Sequence, residues 1–96
     1  MPHLVVIHKV QDYDRWRPHF DSHASTQRAA GLTVRHVLRS ADDPQEIVVF
    51  FEAEDLGRAR ELAGSEDLRK IMQEAGVLGP PTMYFLETAP APPRSA

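Results

Sequence analysis

The side chains with most capacity for chemistry in this sequence are its histidines. His8 falls in phase with Leu4, Val6 and Val10 on a run that alternates like a strand. An imidazole placed there loses water, which favours its neutral form and suits it to act as a general base or hydrogen-bond partner. Further on, Trp16, His19, Phe20, His23 and Gln27 recur at helical spacing, so one helix face carries indole, phenyl and imidazole groups together. Between Asp12 and Gly31 there is no Leu, Ile or Val. A helix packed for stability alone would place aliphatics on that face, whereas a polar, aromatic face is what a pocket between helix and sheet requires. The competing interpretation is a thin core in which every imidazole and the indole N–H finds a backbone partner.

His8 and His23 are therefore the candidate catalytic residues. Trp16, His19, Phe20, Arg35, His36, Phe50 and Tyr84 are the candidate substrate-binding residues. Arg35 and Arg39 lie on one face of a predicted strand, where they suit either a carboxylate or developing enolate, or the defence of a sheet edge. His19 and His23, four apart, have a chelating spacing. They lack a third local ligand, and the residues between them have no carboxylate at the metalloprotease position, so no metal is assigned.

What is missing narrows the chemistry further. The sequence has no cysteine, which excludes disulfides, thiolate metal sites, iron–sulfur clusters and a cysteine nucleophile. Its five glycines are isolated and form no phosphate-binding or dinucleotide loop, so no cofactor is expected. A net charge of -3 and a pI near 5.9 argue against a nucleic-acid partner. The opening apolar run is too short for a signal peptide or a membrane span, and the expectation is a cytoplasmic protein with no membrane contact.

The elements that must position these residues follow from pattern. Ninety-six residues, 42% hydrophobic and 26% charged, make a single globular domain. His3 to Val10 predicts a strand apolar on both faces, hence central in its sheet. Asp12 or Asp14 caps a helix running to about Ala30, with Gly31 at its C-cap and Pro18 in or just after its first turn. Thr33–Ser40 and Glu46–Ala53 predict a hairpin around Ala-Asp-Asp-Pro-Gln. A second helix starts near Asp55, is interrupted at Gly64-Ser65 and stops at Gly76. Gly79-Pro80-Pro81 reads as a rigid connector into a last strand, Thr82–Thr88. The domain thus covers residues 1–88, and the Pro/Ala-rich stretch 89–96 is expected to be a flexible tail.

The order β-α-β-β-α-β yields an α+β fold with a four-stranded antiparallel sheet. Pairing Ser40 with Glu46 puts Val37, Ile47, Val49 and Phe51 on one face, and Val34, His36, Leu38, Val48 and Phe50 on the other. Two helices cover only one face. The other would leave roughly six to eight large apolar side chains in water, at about 1.5–3 kcal/mol each, so a homodimer through the sheet face is expected.

The stretches HKVQDYDRWRPHFDSH (His8 to His23), RSADDPQEIVVFFE and AGVLGPPTMYFLE resemble the dimeric α/β-barrel superfamily. The similarity is greatest to its short cyclase-like and antibiotic-biosynthesis-monooxygenase-like proteins. The resemblance covers roughly residues 3–88 and implies a ferredoxin-like fold, with two sheets stacked in a homodimeric α/β barrel. The superfamily includes cofactor-independent monooxygenases on polyketides, polyketide cyclases, lactone isomerases and haem-degrading enzymes. The haem-degrading branch uses an Asn, Trp and His set, whereas this chain has no asparagine and carries its one tryptophan on the first helix. The resemblance implies a cofactor-independent cyclase, isomerase or monooxygenase on an aromatic or polyketide-like molecule. The alternative is a non-catalytic dimeric module that binds a small ligand or a protein partner.

Overall fold

A computed structural model describes residues 1–90. Most of the expected tail, residues 91–96, lies outside that range. The elements are β1 (His3–Val10), α1 (Tyr13–Ser22), α2 (Ala24–Ala29), β2 (Leu32–Arg39), β3 (Glu46–Ala53), α3 (Leu56–Ala63), α4 (Glu66–Glu74) and β4 (Val77–Leu86). The four strands form one antiparallel sheet in the order β2-β3-β1-β4, with β1 central as its two apolar faces require.

Local chemistry places the ends of the helices. Asp12 is the N-cap of α1, its Oδ1 accepting from the Asp14 N–H at 3.0 Å. The single first helix expected from sequence is two pieces, parted at His23. Pro18 lies in the second turn of α1 and offers no N–H, and the Ser22 hydroxyl donates to the His19 carbonyl at 2.9 Å. Both loosen the helical ladder just before the break. Gly31 and Gly76 follow α2 and α4 with φ of 76° and 82°, the left-handed conformation that ends a helix at little cost only for glycine. The interruption at Gly64-Ser65 separates α3 from α4, and the Ser65 hydroxyl caps α4 by accepting from the Leu68 N–H.

The core lies between the helices and one sheet face. There Leu4, Val6 and Val10 of β1 pack with Ile47, Val49 and Phe51 of β3, under Trp16 and Ala59. Two irregularities depart from the sequence reading. In β2, Val34 pairs with Phe51 while His36 pairs with Phe50, so Arg35 is an extra, bulged residue. Val34 is thereby turned to the core face instead of the outer one. In β4, Gly79-Pro80-Pro81 is not a connector but part of the strand. Ile7 pairs with Thr82 and Lys9 with Leu78, so these three residues stand opposite His8 alone. β4 is an edge strand, where the missing proline N–H groups cost no ladder bond. Gly79 has φ 71°, which a side chain would strain.

Candidate functional site

A cavity of about 70 Å³ lies between the helices and the inner sheet face. Val6 and His8 of β1 and Phe51 of β3 form its floor. Trp16, His19 and Phe20 of α1, with His23 at the break and Gln27 of α2, close one side, and Leu62, Leu68 and Met72 close the other. No Asp, Glu, Lys or Arg lines it.

His8 is the chemically distinctive group. Its side chain is 7% exposed, and neither Nδ1 nor Nε2 has a hydrogen-bond partner within the described residues. Burial pushes its pKa down from 6.5 to about 4, so the ring is neutral at pH 7, with one nitrogen a donor and the other an acceptor. Leaving both unmade costs about 1–3 kcal/mol per group, a price native cores rarely carry without a use for it. The position is structurally marked as well, since the three-residue bulge of β4 stands opposite it. Bulges recur beside functional sites because they re-aim neighbouring side chains.

The aromatic wall is built around Trp16, which is 3% exposed. Its ring stacks on Phe20 at 4.8 Å and 26°, and lies 5.4 Å from His8 and 5.9 Å from Tyr13. Phe20 continues the line to Phe51 at 6.4 Å. His23 and Gln27 are buried polar groups on the same wall, held inward by the break between α1 and α2.

Of the residues singled out in the sequence, His8, Trp16, His19, Phe20 and His23 come together here. Arg35, His36, Phe50 and Tyr84 do not. They belong to the outer sheet face, where His36 meets Phe50 edge-on at 6.0 Å and Arg35 bonds Glu52 at 2.9 Å. The bulge at Arg35 also parts it from Arg39, whose guanidinium lies over the Tyr13 ring at 5.1 Å. Leu62, Met72 and Met83 line the cavity as well and are not among the candidate site residues of the sequence. Their helical or alternating spacing marked them as buried, but nothing in it said that they would border a void. Among the described residues no three His, Cys, Asp or Glu side chains gather as a metal site, and no helix is long and apolar enough to cross a membrane.

No family model matches the chain, and no curated protein matches it in sequence. Solved structures do match its fold. A candidate antibiotic biosynthesis monooxygenase from Bordetella bronchiseptica superposes with TM-score 0.73 at 15% identity, covering 92% of this chain and 96% of that one. Another from Caulobacter crescentus gives 0.70 at 17% identity, covering 93% and 90%. The Streptomyces coelicolor monooxygenase from the gene ActVA-Orf6, solved with nanaomycin D, gives 0.63 at 19% identity, covering 98% and 92%. At these identities the likeness speaks for architecture: this chain has the ferredoxin-like α+β fold of the antibiotic-biosynthesis-monooxygenase-like proteins.

Proposed function

We propose that the chain holds the uncharged ring system of a small organic molecule in the His8 cavity and moves a proton on it without a cofactor, as a cyclase, an isomerase or, with O2 as co-substrate, a monooxygenase does. The observation that carries this reading is His8 itself, a buried neutral imidazole with both nitrogens unpartnered beside a cavity with an aromatic wall. An uncharged lining favours an uncharged ring system over a phosphate or a free carboxylate inside the cavity. His8 accepts a hydrogen bond from a hydroxyl or acidic C–H of the ligand, and negative charge developing there raises the imidazole's basicity as the proton moves. In this reading His23, on the side wall with Trp16, returns a proton. That a protein of the same fold was solved with nanaomycin D supports a small-molecule role.

The test uses single-ring phenols and enolisable ketones, followed through the fluorescence of Trp16, the sole tryptophan. His8→Ala is expected to weaken binding by about 5- to 150-fold, in line with a lost buried hydrogen bond of about 1–3 kcal/mol. His23→Ala is expected to spare binding and slow turnover. Unchanged affinity and turnover in both variants would remove the basis for this function. Binding that depends on His8, with no turnover and no pH–rate limb, would instead identify a non-catalytic binding module.

The same reading includes a second copy on the open sheet face. Leu38, Phe50, Leu78, Tyr84 and Leu86 are exposed there. Burying each large apolar side chain stabilises by about 1.5–3 kcal/mol, and a self-complementary sheet face suits a two-fold partner. Light scattering at micromolar concentration is expected to give a dimer for the native chain and a monomer for Phe50→Asp. A native monomer overturns it.

A further inference from the structure

The His8 cavity is about half the ~150 Å³ that an apolar cavity offers when it takes up benzene. A ring enters only if part of the wall yields. Immediately beside it, between α4 and β4, lies a groove of about 530 Å³. Ala63, Met72 and Met83 line both spaces. On its β4 side the groove is walled by Gly79-Pro80-Pro81, whose proline φ angles are locked. The compliant part of the shared wall is therefore the two methionines, unbranched side chains with three rotatable bonds each. With both swung aside, the joined space falls within the ~300–1,000 Å³ typical of ligand sites.

The two spaces differ in charge. The inner one has no ionisable group except histidine. The groove presents the exposed Arg69 and Gln73 on successive turns of α4, with no Asp or Glu in its lining. Arg69 makes no ion pair among the described residues. Arg69 is thus the one charged side chain in the groove lining, a single cation beside an uncharged interior.

We propose that groove and cavity are two compartments of one site for an aromatic acid. The apolar ring passes the Met72–Met83 partition to lie against Trp16 and His8, and its anionic tail stays outside on Arg69. This rests on the cavity being a ligand site, and it adds the route, the partition and the charge of the ligand's tail.

Two probes separate the compartments: phenol, which reaches only the inner one, and 3-(4-hydroxyphenyl)propionate, which spans both. By calorimetry on the full chain, the propionate is expected to bind at least about tenfold tighter, from a charge-assisted contact that phenol lacks. Arg69→Gln is expected to erase most of that gain and leave phenol unchanged. Independently of either probe, acrylamide quenching of Trp16 is expected to rise in Met72→Ala and fall in Met72→Phe. The two-compartment site is overturned if the propionate binds no tighter than phenol, or if Arg69→Gln affects both probes alike. Quenching that ignores both Met72 variants overturns the partition. Should neither probe bind while quenching responds in both directions, the route through the methionines stands and the ligand reading of the cavity falls.

Discussion

Trp16→Ala is expected to lower the melting temperature by 15 °C or more (from about 4–8 °C per kcal/mol in a domain of this size). Truncating a buried tryptophan costs about 3–5 kcal/mol, out of roughly 5–15 kcal/mol for a whole domain. The upper half of that range applies because nothing else replaces the ring. With no Leu, Ile or Val on α1 or α2, the first helical segment is anchored by Trp16, its stack on Phe20 and its contacts with Tyr13 and His8. Trp16→Phe keeps an aromatic contact and is expected to lose less than half as much. Circular-dichroism melts at one fixed protein concentration decide the matter, since any association would otherwise move the midpoint. A fall of under 5 °C for Trp16→Ala would show that α1 is held by something else.

His8→Leu is expected to do the reverse, raising stability while weakening ligand binding. Leucine fills a similar volume and has no polar atoms to satisfy, so the penalty of the unpartnered ring nitrogens disappears, a gain of about 1–3 kcal/mol for each nitrogen. Sites kept for function at the expense of stability behave in this way. The substitution also alters the pH dependence. In the folded chain His8 titrates at about 4 instead of 6.5. As pH falls below 6.5 the unfolded chain takes up a proton that the folded chain refuses, so stability drops until pH 4 and then no further from this source. At 1.36 kcal/mol per pKa unit the total is about 3 kcal/mol. Asp43 is held below its usual 3.8 by the Gln45 backbone N–H and Lys9, and Glu52 below 4.5 by Arg35. Their contributions are lost only below those values, which leaves pH 4.5–6.5 as the window that reports on His8. Urea titrations across it should show a slope in the native chain that His8→Leu flattens. Equal slopes would mean that the ring is solvated or partnered in solution.

Much of this arrangement was legible from local pattern. Alternation along His3–Val10 is enough to place β1 centrally, and the spacing of Trp16, Phe20 and His23 marks an aromatic, polar helix face, because period and side-chain direction are set by the backbone itself. Ser40 opposite Glu46 is visible in the turn residues between them, and Ser40 N–H donates to the Glu46 carbonyl at 2.9 Å in the structure. Residue type narrows the first cap to Asp12 or Asp14, of which the structure uses Asp12.

Other features have no local signature. A one-residue bulge leaves the string of side chains unaltered and yet reverses every face beyond it, which is why Val34 moved inward and Arg35 parted from Arg39. Gly79-Pro80-Pro81 carries the residue types of a connector, and only its place on an edge strand lets it pair as part of β4. His8 and His36 differ little as residues on strands, yet one lines the cavity and the other faces outward with Phe50. Residue order alone thus determined the succession of strands and helical segments, their central strand and the aromatic, polar face of the first helix, since these follow from periodicities a few residues long. Tertiary structure decided which candidates share a cavity and which methionines border it, because both depend on where strands far apart in sequence meet and where their register slips.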